Sequence, residues 1–106
     1  ENVVNAPLAA GAGSDEFRMA VSEFWLPRLQ AHRPQMLLVS AGFDAHLADD
    51  MAGLNLMDSD YGWVMEELVR LAAEQEFCPI VASLEGGYNL HALARSVEAL
   101  LKAMLD

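Results

Sequence analysis

The carboxylate of Asp44 and the phenol of Tyr88 are the side chains whose chemistry and placement stand out in this chain. Each follows a short apolar run by the same interval. Asp44 lies four residues beyond Ser40, and Tyr88 lies four residues beyond Leu84. A carboxylate can ligate a metal, and a phenol can donate a hydrogen bond to an oxyanion. If both runs are neighbouring parallel strands, the two groups leave one edge of one sheet, with strands about 4.8 Å apart. That edge is where open α/β sheets bind their ligands. Taken singly, each feature has a plainer use. Asp44 suits a turn, and Gly86-Gly87 suits an ordinary strand-to-helix connection. On matched strand ends, the pair is better explained by function.

The elements needed to hold such a pair are legible along the chain. Residues 1–14 are small and loop-like, with Pro7, Gly11 and Gly13 breaking regular structure. Ser14 is placed to cap a helix, and Asp15 and Glu16 suit the positive end of its dipole. Phe17, Ala20, Val21, Phe24, Trp25 and Leu29 recur at helical spacing, with Pro27 expected to kink or loosen that helix. Pro34 ends the region before a strand at 36–40. Next comes a long glycine-punctuated loop at 41–58, of a length that is often functional. A second helix is expected over about 60–75, with Val64, Leu68 and Leu71 inward. A second strand, Ile80 to Leu84, leads through Glu85-Gly86-Gly87-Tyr88-Asn89 into a third helix. That helix should bury Leu90, Leu93, Val97, Leu100, Leu101 and Met104. The order helix–strand–helix–strand–helix contains one βαβ unit, whose strands should be parallel and whose crossover should be right-handed.

Bulk properties narrow the function classes. The 106 residues carry 16 acidic and six basic side chains, for a formal net charge of −10. Such a surface argues against nucleic acid and anionic membrane as partners and modestly favours a cationic one. Cys78 is the single cysteine, which leaves no internal disulfide framework and no cysteine-based zinc motif. A reducing, cytoplasmic setting is therefore expected. No run is long enough to span a membrane, and the acidic start does not resemble a signal peptide. A hydrophobic content of 54% is high for so short a chain. With the opening Glu1-Asn2-Val3-Val4-Asn5, it suggests a piece of a larger domain.

Two separated motifs carry a family resemblance. Ser40-Ala41-Gly42-Phe43-Asp44-Ala45-His46, with Asp49 and Gly53-Leu54 after it, and Leu84-Glu85-Gly86-Gly87-Tyr88-Asn89-Leu90 resemble the C-terminal third of the zinc-dependent histone deacetylase superfamily. That superfamily includes acetylpolyamine amidohydrolases. Asn5-Ala6-Pro7-Leu8, Gly11, Gly13 and Arg33-Pro34 extend the likeness over nearly the whole chain. One departure is Asp49-Asp50-Met51-Ala52-Gly53, where the family often has Asp-Pro-Leu-Gly-Gly.

The resemblance implies a role for each matching residue. Asp44 falls on the family's third zinc ligand. Tyr88 falls on the tyrosine that polarises the substrate carbonyl and stabilises the oxyanion. Gly86 and Gly87 match the glycine-rich loop beside the acyl channel, where missing side chains leave room for substrate. The Asp44-Ala45-His46 spacing imitates the family's earlier Asp-x-His ligand pair, but its surroundings match the third-ligand segment, so His46 is read as a polar loop residue. His32 and His91 read as structural or solvated groups, and Trp25, Trp63 and Cys78 as packing groups. Glu66, Glu67, Glu74 and Glu76 read as a solvated face.

The expected fold is therefore α/β, a parallel sheet with flanking helices that forms part of an arginase/deacetylase-like architecture. Residues 1–106 are expected to be the C-terminal part of an incomplete deacetylase-like domain. The complete enzyme would hydrolyse acetyl-lysine or an acetylpolyamine. Zinc is expected only together with an N-terminal part, because two ligands and a histidine dyad have no counterpart in this sequence. The chain alone should be inactive. The alternative is a free-standing, non-catalytic binding or self-assembly module that forms homo-oligomers through exposed apolar surface.

Overall fold

A computed structural model describes residues 2–105. The chain runs through α1 (Ser14–Ala20), a π-helical turn (Val21–Trp25), α2 (Leu26–His32), β1 (Leu37–Ala41), α3 (Asp58–Ala73), β2 (Ile80–Leu84) and α4 (Leu90–Leu105). β1 and β2 pair in parallel, with Leu37 opposite Ile80 and Ala41 opposite Leu84. The α/β architecture and the single βαβ unit are as the sequence predicts.

Pro27 explains the break in the first helix. It has no N–H to donate, and its ring crowds the carbonyl four residues back. The chain answers with a widened turn at Val21–Trp25 just upstream, and Pro27 sits in the first turn of α2, where its missing donor costs nothing. A π-turn adds a residue and rotates the downstream helix about its axis. Phe24 and Trp25, within the widened turn, are exposed, whereas helical spacing alone puts them inward. Ser14 is not the cap either. Gly13 takes that position, and its N–H donates to Glu16 Oε1 at 2.8 Å. Ser14 is the first helical residue, and its hydroxyl turns instead to Asp60.

The core is Phe43, Leu56, Tyr61, Met65, Leu100 and Ala103, with Leu68, Leu93, Val97 and Met104 packed against it. It lies between α3, α4 and one face of the sheet. Leu90 and Leu101 are exposed, contrary to the inward placement read from the sequence. Leu93, Val97, Leu100 and Met104 already form the stripe that meets the core. Leu101 lies about 100° round the helix from Leu100, and Leu90 opens the helix. Only one face of the sheet is covered. Leu38 is 75% exposed and its register partner Val81 is 50% exposed, with Ser40 and Ser83 beside them. Parallel sheets are ordinarily covered on both faces.

Asp60 ties the first helix to the third. Its side chain is fully buried and accepts from Ser14 Oγ (2.5 Å), Arg18 Nε (2.8 Å) and the Met57 N–H (2.8 Å). Burial pushes its carboxyl upward, but these three donors outweigh burial and hold it below the usual range. Arg18 also lies over the Trp63 ring, 5.0 Å from its centroid. Asp60→Ala should cost about 2–4 kcal/mol, because it strands buried donors. Arg18→Met should cost only about 1 kcal/mol, since that side chain is partly solvated. Urea unfolding of the two variants checks the difference.

Candidate active site

The β1 and β2 extensions stay side by side after the strands end. The Glu85 N–H donates to the Ala41 carbonyl at 2.9 Å, and the Phe43 N–H donates to the Gly86 carbonyl at 2.8 Å. Asp44 and Tyr88 therefore leave the same edge of the sheet, although β1 ends at Ala41 rather than Ser40, so Asp44 lies three residues past its strand and Tyr88 four past its own. The Asp44 carboxylate lies directly against Gly86. A Cβ at that glycine would sit 3.0 Å from Asp44 Oδ2 and 3.1 Å from Cγ, so tight that the carboxylate would have to give way by a few tenths of an ångström. Gly87 has φ of 143°, and a Cβ there would meet Leu93 Cδ1 at 2.8 Å and Phe43 Cβ at 3.2 Å. The room left by the two missing side chains is thus taken up by protein atoms on this side of the loop. Tyr88 itself is 61% exposed.

The long loop after β1 is well organised. The Leu56 N–H donates to Ala45 O (3.0 Å) and the Leu47 N–H to Leu56 O (2.7 Å), so residues 45–47 pair with Leu56. The N-terminal stretch is stitched to the same loop through Gly11 N–H to Gly53 O and Asn55 N–H to Ala12 O, both 2.8 Å. Within it Asp49 is only 5% exposed. Its Oδ1 accepts the Met51 N–H at 3.0 Å, an Asx turn that orders the stretch where the sequence departs from Asp-Pro-Leu-Gly-Gly. Its Oδ2 accepts the N–H groups of Tyr88 (2.7 Å) and Asn89 (3.0 Å). Asn89 then caps α4, accepting the Ala92 N–H on Oδ1 and donating through Nδ2 to Ala48 O, both at 3.0 Å.

His46 is buried at 3% exposure, and both ring nitrogens are engaged. Nδ1 accepts the Ala48 N–H at 3.0 Å, which leaves Nε2 to donate to Asp58 Oδ1 at 2.6 Å. Asp58 also receives Arg95 Nε at 3.1 Å. His46 is therefore a polar loop residue, though a buried one. Asn89 had a local sequence signal, a capping residue directly before an apolar helical stripe. Asp49 had none for its contacts, which reach across 39 and 40 residues.

The histone deacetylase domain family matches residues 1–104 of this chain. The chain belongs to that family. An uncharacterised Synechocystis protein, slr0245, is 40% identical over 105 residues, a match covering 99% of this chain and 33% of that protein. The chloroplastic histone deacetylase 14 of Arabidopsis thaliana is 38% identical over 102 residues, covering 96% of this chain and 24% of the relative. The crystal structure of the HDA15 HD domain superposes with a TM-score of 0.83 at 30% identity, over 95% of this chain and 28% of that one. The chain thus spans about a quarter to a third of the length of these relatives.

Set against a zinc hydrolase, the donor set is incomplete. Catalytic zinc takes three protein ligands and keeps one position open. Among the described residues, no three His, Cys, Asp or Glu side chains come together in a way that could hold a metal. Among the described residues Asp44 has no such partners, and the imidazole nearest to it in sequence is turned to Asp58 and Ala48. These residues do not make up a zinc site by themselves. No helix among the described residues is long and apolar enough to cross a membrane.

The loop carboxylates should give the chain a marked acid limb. The Tyr88 N–H above all, with the Met51 and Asn89 N–H groups, holds Asp49 below its usual value of 3.8 despite burial. The His46 hydrogen bond, followed by Arg95, does the same for Asp58. Both groups stay ionised in the folded chain at pH values where the unfolded chain has begun to take up protons. Their stabilisation is therefore complete above the unfolded value and is lost as pH falls through the lower folded values. Urea midpoints should drop as pH is taken below about 4. Asp49→Asn and Asp58→Asn should each flatten that fall.

Proposed function

We propose that this chain is the C-terminal part of a deacetylase-like amidohydrolase that cleaves acetylated amines, acetyl-lysine or acetylpolyamine, in a cytoplasmic setting. The observation that carries the reading is the convergence of Asp44 and the Gly86-Gly87-Tyr88 loop at one sheet edge in a chain of this family. Asp44 is assigned as one ligand of a zinc ion whose other ligands come from elsewhere in the complete protein. Gly86 and Gly87 line the acyl channel. Tyr88 presents its hydroxyl to the substrate carbonyl and donates to the oxyanion as the tetrahedral intermediate forms. Its exposure suits that task, since the group must meet a ligand rather than pack. The acidic balance of the chain suits an amine-bearing substrate over a polyanion.

A second reading rests on the bare sheet face, where Leu38 and Val81 lie open. In it, the chain is a non-catalytic module that covers this face with a second copy. Unsatisfied sheet surface and edges invite such pairing.

Deacetylation assays on the complete polypeptide separate the two. Tyr88→Phe should lower kcat by about 10²–10³, the usual cost of one oxyanion donor. Asp44→Ala should reduce zinc content as well as turnover, and the 106-residue chain alone should turn over neither substrate. Full activity in Tyr88→Phe would contradict the enzyme reading. A concentration-dependent dimer of the short chain, lost in Leu38→Glu, together with an inactive complete protein, would support the module.

A further inference from the structure

We propose that Asp49 is a positioning residue that aims Tyr88, so that the loop after β1 supplies both the candidate metal ligand and the clamp for the candidate oxyanion donor. This inference rests on the enzyme reading above and assigns a role to a residue outside the Asp44–Tyr88 pair. Its ground is the hydrogen bonding around Tyr88. One oxygen of Asp49 accepts the Tyr88 N–H at 2.7 Å and the Asn89 N–H at 3.0 Å. Those N–H groups belong to the two peptide planes on either side of the Tyr88 Cα. Fixing both planes fixes φ and ψ of Tyr88, and with them the direction of its Cα–Cβ bond.

The side chain cannot do this for itself. Tyr88 is largely exposed, and the two residues before it are glycines, which bring no side chains to anchor the loop. The backbone clamp is therefore what aims the phenol. Asp49 is in turn held in place. It is buried, its N–H donates to the His46 carbonyl at 2.9 Å, and its second oxygen accepts the Met51 N–H. Behind it His46 is fixed by Asp58, and Asp58 by Arg95 of α4. The helix bearing Arg95 is capped by Asn89, the residue next to Tyr88. The contacts close into a ring that returns to the loop being positioned.

Asp49→Asn tests the clamp with almost no change in volume. A carboxamide has one accepting oxygen, whereas three N–H groups converge on Asp49 from two sides, so one side must face a donor. In the complete polypeptide, Asp49→Asn should lower kcat on an acetyl-lysine peptide on the order of 10-fold to 100-fold, the scale of a misplaced catalytic group. KM should change by less than about threefold, because only an interaction made in the transition state is disturbed. In a Tyr88→Phe background, where no hydroxyl remains to be aimed, the same substitution should cost less than about threefold. An undiminished cost in that background would overturn the proposal, since it would mean that Asp49 acts on the fold at large.

Hydrogen exchange supplies a readout that does not depend on activity. In Asp49→Asn the amides of Tyr88 and Asn89 should lose protection, while those of α3 keep theirs. Unchanged protection at those two amides overturns the clamp, and so does equal loss throughout α3. A wild-type complete protein that does not deacetylate removes the enzyme reading and, with it, the purpose of aiming Tyr88. The exchange data tell that failure apart from failure of the clamp.

Discussion

Everything about the candidate site depends on the parallel register of β1 and β2. Parallel pairing makes both strands end at the same edge, and the pairing of Ala41 with Leu84 ends them level with one another. Asp44, three residues beyond Ala41, and Tyr88, four beyond Leu84, then leave the sheet on that shared edge. A slip of one residue would turn every side chain of one strand to the other face and separate the pair. Between the strands α3 must return from the end of β1 to the start of β2, and its Tyr61 and Met65 belong to the core on which Val39, Ala41 and Ile80 of the strands pack. A buried carboxylate at Asp60 fixes the first helix to the beginning of α3.

Beyond the strands, the backbone has no ladder to rest on, and carboxylates take over. Asp49 gathers three N–H groups from two loops, and Asp58 binds the ring of His46 to Arg95. Ionised carboxylates suit this task because they only accept, so several donors can share one side chain without conflict. The strong acidity of the chain is therefore not only a solvated surface. At least three of its acidic groups, Asp49, Asp58 and Asp60, hold the structure together from within or near the core.

The α/β fold and the site edge are legible in the sequence because they rest on local signals. Apolar runs bounded by proline and glycine mark the strands, and the same reading puts Asp44 and Tyr88 just past their ends, one residue out in where β1 stops. The hidden features are long-range or a matter of rotation. Asp49 sits in a polar stretch with Asp50 beside it, and nothing local says which of the two turns inward to meet a loop 39 residues on. His46 reads as a loop residue, and its burial comes from Asp58 and the pairing of residues 45–47 with Leu56. Phe24, Leu90 and Leu101 read as inward because apolar character cannot tell a packed side chain from one that a turn or a helix end rotates outward.

Two observations that share no residues bear on the enzyme reading in the same direction. Among the described residues, the carboxylate of Asp44 lacks the companions that a catalytic metal needs. The uncovered face bearing Leu38 and Val81 lacks the second layer that a parallel sheet ordinarily carries. One deficit is chemical and the other is a matter of packing. A catalytic site at the strand ends and a helical layer on the open face would both be completed by chain that packs against the same small sheet. The enzyme reading asks for one such addition, supplied by the rest of a longer family member. A self-covering module would satisfy the packing deficit alone and would leave the convergence of Asp44 with the Gly86-Gly87-Tyr88 loop without a purpose, which is the physical reason to prefer the enzyme.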